Sequence, residues 1–405
     1  MDIDFSKKIA IFSDRSSFLV FLYGLVLPLE DFLFQDTLGS VSRIVAILLF
    51  VNYILSNRFP TLNYVSKYSI FYSIIILLSL FWSITPDYFG VVRLWILLFS
   101  SVIFASIQKK DANTIFKFML GFLISGCYLS INTILEFFTS GATERVTIEE
   151  INNNLLANSL ALTALFIIFI LINNRLPKMY LPILVLFLLT NIGAIISTGS
   201  RGAFTAFLIS LVFFLRKGVG KLVFFGLFFA LLTIGILNFT QKFDPVIDLL
   251  TARIEKTNED YGGNRIPIWK IGLAMFYDNP ITGVGFRNFR LQSLDYAINS
   301  NVLSFDEFSY LTINNSDSHP VHNNYLDTLC ELGIFGFLFF IIWLIQLYSG
   351  ILHEKSLDGD IVMILLTYLL ISSFFGDLYN LKLFWVLSGI SGYYYYSHKN
   401  RLLVK

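Results

Sequence analysis

Between Glu150 and Arg175 the chain carries no charged residue, and between Lys178 and Arg201 it again carries none. Uncharged apolar runs of about 20 residues match the hydrocarbon thickness of a bilayer. Apolar windows near that length, some with a few charges, recur at 16–34, 41–56, 68–84, 90–107, 115–139, 156–173, 179–197, 202–216, 222–238, 324–349, 359–375 and 379–397. The bias holds for the whole chain of 405 residues, of which 56% are hydrophobic and 14% charged. A soluble domain carries roughly 25% charged residues, and no soluble core could absorb this much apolar surface. The fold class is therefore an all-α polytopic membrane protein of about twelve transmembrane helices. A formal net charge of +1 gives no footprint for nucleic acid. The first fifteen residues are polar, without the pattern of a cleavable signal, so the first helix is expected to stay as an anchor. Cys127 and Cys330 lie in apolar stretches and read as small buried hydrophobes.

The charges between the windows test the count. Arg58 and Lys67 follow the second window, Lys109 and Lys110 the fourth, Arg175 and Lys178 the sixth. Arg216, Lys217 and Lys221 follow the eighth, Lys355 the tenth, and Lys399, Arg401 and Lys405 close the chain. The alternate connections at 35–39, 85–88 and 376–380 have no Lys or Arg. Positive charge marks the cytoplasmic side, which puts both termini there. The chain then divides into nine spans over 1–238, one large outer loop over 239–322 between the ninth and tenth, and three spans over 323–405. A long outer segment in such a chain is expected to carry function.

Several cations break the alternation. Arg201, in Ser197-Thr-Gly-Ser-Arg-Gly-Ala203, sits at the outer junction of two spans. Arg43 and Arg93 lie near the outer ends of their helices, with Glu30 and Asp31 available as partners. Arginines gathered there suggest an anionic ligand, because the guanidinium fork matches phosphate oxygens. Snorkelling and internal ion pairs are the competing account. In the outer loop, Ile268, Ile271, Met275 and Phe276 fall at helical spacing, Pro267 suits a first turn, and Asn279-Pro280 ends the run. This reads as an amphipathic helix on the membrane surface, with Arg265 just before its N-terminus. Gly283-Val-Gly285 makes a turn, and Arg287 and Arg290 follow it.

The strongest local signal is Asp317-Ser-His319-Pro320-Val-His322-Asn323 running into an apolar helix. Pro320 fits a first helical position with Ser318 or His319 as cap, which places His322 in the first turn. A helix N-terminus disfavours imidazolium, leaving a neutral ring suited to general-base work. A metal site of His319, His322 and Asp317 is the alternative, although no second cluster completes it.

These residues resemble a known family. His322-Asn323, nine residues, then Gly333-x-x-Gly336 is similar to the pattern of the bacterial O-antigen ligase and O-antigen polymerase superfamily. Ser200-Arg201-Gly202, Arg265 with Trp269, Asn279-Pro280 and Gly283-Val-Gly285 occur in the order that family shows, over roughly 190–345. The resemblance implies a membrane-embedded glycosyltransferase without metal or cofactor, facing the periplasm from the bacterial inner membrane. Such enzymes pass a glycan from an undecaprenyl diphosphate carrier to an acceptor hydroxyl, on lipid A–core for a ligase or on a growing polysaccharide for a polymerase. His322, Arg201 and Arg265 resemble the family's essential residues. Arg43, Arg93, Arg287, Arg290, Asn323 and His319 are expected to contact substrate. Phe337 after Gly336, where ligases often carry a small residue, leaves ligase and polymerase both open. A ligase acting on protein, or a lipid-linked glycan transporter, would account for the arginines as well.

Overall fold

A peptide backbone in a layer without water must satisfy its own N–H and C=O groups, and a helix does so within one segment. The computed structural model describes residues 15–30, 41–56, 66–139, 153–214, 265–300, 302–305, 307–309, 321–376 and 381–403. Among these residues there is no strand. The apolar helices are α1 (Arg15–Val26, extended by a 3-10 turn Leu27–Leu29), α2 (Val41–Leu55), α3 (Lys67–Ser79), α4 (Tyr88–Gln108), α5 (Thr114–Thr139), α6 (Asn153–Ile172), α7 (Leu181–Thr198) and α8 (Arg201–Phe214). Two helices of the outer segment follow, α9 (Arg265–Asp278) and α10 (Phe289–Asn299). Then come α11 (Asn324–Leu352), α12 (Leu357–Ser372) and α13 (Lys382–Leu403). Every expected window except the ninth coincides with a described helix, and the ninth, 222–238, lies outside the described residues.

Among the described residues, five stretches are long and apolar enough to cross a bilayer: Tyr88–Gln108, Thr114–Thr139, Asn153–Ile172, Lys178–Thr198 and Asn324–Leu352. Their surroundings differ. On α6 every residue from Leu160 to Ile170 is buried, because α5, α7, α8 and α12 enclose it. A helix apolar on all sides belongs at such a centre. On α7, Ile183, Leu186 and Leu189 are about half exposed or more. An apolar face of that extent is not kept in water, so it is a lipid face. Close approach holds α1 to α5, since a Cβ on Gly24 would stand 2.0 Å from the Phe118 carbonyl oxygen and one on Gly121 2.1 Å from that of Phe21. Aromatic rings join α3, α11 and α13, with Tyr72 against Phe340 at 5.4 Å and Trp343 against Trp385 at 5.6 Å between centroids.

The outer segment docks on the start of α11. Ile268, Ile271 and Met275 of α9 are buried with Val284, Phe289, Val321 and Cys330, and Phe276 packs against them. The stripe expected at helical spacing is helical and covered by protein, while Ile266, Leu273 and Tyr277 on the rest of the same helix are exposed. Lys270 on the outer face of α9 holds Glu307 through both carboxylate oxygens, at 2.7 and 2.9 Å. Burial pushes the Glu307 carboxyl up, but the bonds from Lys270 and from Ser304 outweigh it and hold the group below its usual range. A depressed carboxyl adds stability that is complete above its ordinary value of 4.5 and is lost as pH falls through the lower folded value. Acidification should therefore loosen the outer segment below about pH 4.5, and Glu307→Gln should remove that transition, as read by Trp269 fluorescence with the other tryptophans replaced.

Residues 279–288 are knitted onto a break in α11. At Gly333 the helix leaves helical geometry, with φ 64° and ψ −169°. The carbonyls freed there accept new donors: Cys330 from Val284 N–H at 3.0 Å and Glu331 from Gly285 N–H at 2.8 Å. Ile334 N–H turns instead to the carbonyl of Pro280 at 2.8 Å. A Cβ on Gly283, at φ +66°, would stand 2.3 Å from the Glu331 backbone, and one on Gly333 2.3 Å from the Ile281 carbonyl oxygen. Strain of this kind costs on the order of 1–3 kcal/mol per position before the clash is added. Gly283→Ala and Gly333→Ala should each lower the detergent-solubilised Tm measurably, whereas Gly376→Ala, with its nearest neighbour at 3.8 Å, should not.

Candidate active site

A cavity of about 550 Å³ opens where the turn after α3, the 286–291 segment and the start of α11 meet. Arg93, Arg287, Arg290, His322, Asn323, Asp327 and Glu331 supply its polar wall, and Leu94, Leu97 and Phe289 its apolar one. Five of these residues, Arg93, Arg287, Arg290, His322 and Asn323, stood out in the sequence at three separate places in the chain.

Helix α11 begins at Asn324 with Asn323 as its cap; the Asn323 Oδ1 accepts from Tyr325 N–H at 3.1 Å and Leu326 N–H at 3.2 Å. The expected start at Pro320, with His322 inside the first turn, is therefore corrected by four residues, because an asparagine able to take two orphan N–H groups sets the boundary. His322 lies just outside the helix in a left-handed conformation, φ 52°. It is held there from both sides, by the Asn323 cap and by the Trp269 indole, which donates to the Val321 carbonyl at 3.1 Å. His319 and Asp317, and with them the metal alternative, lie outside the described residues.

Arg287 is also left-handed, at φ 59°. Its guanidinium meets the Asp87 carboxylate at 3.0 Å, while the other Asp87 oxygen accepts Gly90 N–H at 2.8 Å and caps α4. Its backbone N–H donates to Glu331 Oε2 at 2.6 Å, and Phe289 N–H donates to Glu331 Oε1 at 3.1 Å. One buried carboxylate on α11 thus fixes both Arg287 and the first turn of α10. Asn288, fully buried, closes the other side, accepting from Thr85 N–H and donating to the Thr85 carbonyl, both at 3.1 Å. Of the three non-glycine residues with positive φ among the described residues, His322 and Arg287 line this one cavity. Strained positions gather where structure over-determines them for a task.

Arg201 and Arg265 are not among the described residues that line the cavity, yet Arg265 reaches the turn that borders it and Arg201 adjoins Gly202, which packs on that turn. Arg201 opens α8 after Gly199 ends α7 in the left-handed region. The neighbouring Gly202 packs so closely on Phe375 that a Cβ would stand 2.4 Å from that side chain. Arg265 is the first residue of α9; its guanidinium donates to the Phe375 carbonyl at 3.3 Å and stands 5.4 Å from the Phe375 ring centroid. Asn324 N–H donates to the Ser373 carbonyl at 2.9 Å, and Tyr325 stacks on Phe374 at 4.3 Å. The 373–376 turn therefore gathers the N-termini of α8, α9 and α11, and Gly376 at its end lines the cavity. Arg43 is exposed and is not among the described residues that line the cavity. Glu30 pairs with Lys382.

Residues 184–341 match the family model for O-antigen ligase. This supports the O-antigen ligase and polymerase superfamily, and the matched stretch contains Arg201, Arg265, Arg287, Arg290 and His322. No curated protein matches the chain.

Sequence reasoning missed Asp87, Asn288, Asp327, Glu331 and Lys382. For Glu331 and Lys382 a signal existed, because a charge inside a lipid-grade helix is expensive and seldom idle. Glu331→Gln replaces a carboxylate whose two oxygens each accept one N–H with an amide that can satisfy only one. A buried donor left unsatisfied costs about 1–3 kcal/mol. We expect faster proteolysis of the 283–291 segment in Glu331→Gln, with the Tm of the spanning helices little changed.

Proposed function

We propose that the chain is an O-antigen ligase in the bacterial inner membrane, with about twelve spans, both termini cytoplasmic and its cavity facing the periplasm. It moves a glycan from an undecaprenyl diphosphate carrier to a sugar hydroxyl of lipid A–core, without metal and with inversion at the anomeric carbon. The observation that carries this reading is the pairing of a histidine held in a strained backbone with arginines around one cavity, inside the matched family region. Family and apolar helices together support a membrane-bound, glycosyltransferase-like enzyme acting on lipid-linked glycan.

In this reading the acceptor hydroxyl gives its proton to the His322 ring as its oxygen attacks the anomeric carbon. The bond from that carbon to the phosphate oxygen breaks, and its electron pair leaves with the lipid diphosphate. Arg93, Arg287 and Arg290 in the cavity, with Arg201 and Arg265 at its bordering turn, offset the charge that develops on the leaving oxygen. Asn323 spends its oxygen on the helix cap and so positions the histidine. Extension of a repeat-unit chain by a polymerase would use the same steps on a different hydroxyl.

His322→Ala should lower transfer on the order of 10²–10⁴-fold while donor binding is retained. Arg201→Lys and Arg265→Lys should be severely impaired although charge is kept, since lysine cannot reproduce a bidentate contact. The measurement is glycan transfer by purified protein in EDTA, offering lipid A–core and a repeat-unit acceptor in parallel, with donor binding assayed separately. Full activity in His322→Ala would sink the mechanism, and exclusive use of the repeat-unit acceptor would replace ligase with polymerase.

A further inference from the structure

The end of α12 and the turn after it read Ser372-Ser-Phe-Phe-Gly376. The backbone fixes this turn, with Phe374 N–H on the Ile371 carbonyl at 3.2 Å and Phe375 N–H on that of Ser372 at 2.9 Å. Phe374 packs its ring on Tyr325 of α11, whereas Phe375 serves two other helices. A Cβ on Gly202 would stand 2.4, 2.8 and 3.2 Å from the Phe375 Cβ, Cγ and Cδ2 atoms. The Phe375 ring centroid lies 5.4 Å from Arg265 Cζ, and the Phe375 carbonyl accepts from an Arg265 guanidinium N–H at 3.3 Å. One half-buried residue therefore touches the first turn of α8, beside Arg201, and the first residue of α9. The start of α8 is tied to α6 as well, since Ser200 Oγ donates to Asn154 Oδ1 at 2.8 Å.

An aromatic ring orients a guanidinium through its delocalised charge; it consumes no N–H donor and cancels none of the charge. The Asp87 carboxylate, by contrast, orients Arg287 by neutralising it. Gly202 is what lets the Phe375 side chain come so near, because any Cβ there would drive it off α8. We propose that Phe375 is a positioning residue for the donor diphosphate. Seated on Gly202 and holding Arg265, it sets the spacing of Arg201 and Arg265 so that both guanidinium groups meet one diphosphate. It touches no reacting atom itself. This rests on the donor chemistry proposed above and deepens it: the two arginines work as a pair whose geometry is set by one shared side chain.

Phe375→Leu removes the ring while keeping bulk and the backbone carbonyl, and Phe375→Tyr keeps the ring. Binding of geranyl diphosphate, which carries no glycan, is measured by calorimetry beside donor KM, acceptor KM and kcat. Phe375→Leu should weaken diphosphate binding and raise donor KM about ten-fold, the scale of one lost cation–π contact. Acceptor KM and Tm should change little, and Phe375→Tyr should restore wild-type values. In an Arg265→Gln background the same Phe375→Leu change should have a much smaller effect, because the two residues act through one another. Phenylglyoxal modification followed by peptide mass spectrometry needs no ligand: Arg265 should react faster in Phe375→Leu and at the wild-type rate in Phe375→Tyr. Unchanged Arg265 reactivity or unchanged diphosphate binding in Phe375→Leu would overturn the inference. So would strict additivity with Arg265→Gln, or a lowered Tm with donor and acceptor KM raised alike. Absence of diphosphate binding by the wild type would defeat the ligase reading, whereas the reactivity arm decides by itself whether Phe375 holds Arg265.

Discussion

The Glu331 carboxylate is the interaction on which the cavity depends. It sits on a bilayer-length helix about two turns below its capped end, where an unpaired charge would be prohibitive. Its two oxygens are taken by the backbone N–H groups of Arg287 and Phe289. Backbone donors bring no mobile side chain with them, so the pairing fixes a loop as firmly as it neutralises a charge. Two residues on, the break at Gly333 frees carbonyls for the same loop. A spanning helix and an outer segment thereby become one rigid unit, and the arginines that follow Gly283-Val-Gly285 are aimed by the helix itself.

The spans were readable because lipid imposes a length and a composition that short-range sequence records directly, as in the uncharged run through α6. The residues of the site were readable in part, as anomalies: Arg93, Arg287, Arg290 and His322 each violate what their position should carry. An apolar stripe states that something covers it without stating what, so the partner of the α9 stripe, the start of α11, was not legible. One reading failed for a physical reason. The start of α11 was read from Pro320, but Asn323 takes two orphan N–H groups and a proline takes none. Contacts between distant segments left no local trace, so Asn288 bonding the turn at Thr85 could not be foreseen.

Strain and support are distributed unevenly around the cavity. His322 is held in the left-handed region between a capped helix and an indole anchored on α9, so the cost of that conformation is borne by packing outside the cavity. The ring is then set by two helices and not by a loop. Arg287 has the same design, strained at its own backbone and tied at both its N–H and its guanidinium. Sites built this way keep their geometry when substrate is absent, which is what charge stabilisation without reorganisation requires.

The balance of charge around the cavity then has a consequence for which arginines do what. The lining residues include three carboxylates, Asp87, Asp327 and Glu331, and three arginines, Arg93, Arg287 and Arg290. Glu331 has spent its charge on backbone donors and Asp87 on Arg287 and the α4 cap. Under the proposed reading, an incoming diphosphate meets in Arg287 a guanidinium already oriented by a carboxylate, which costs little entropy to use. Arg201 and Arg265 stand at helix N-termini, whose dipole favours an anion as well. With the phosphates met by arginines, the His322 side of the cavity is left in that reading for the acceptor hydroxyl.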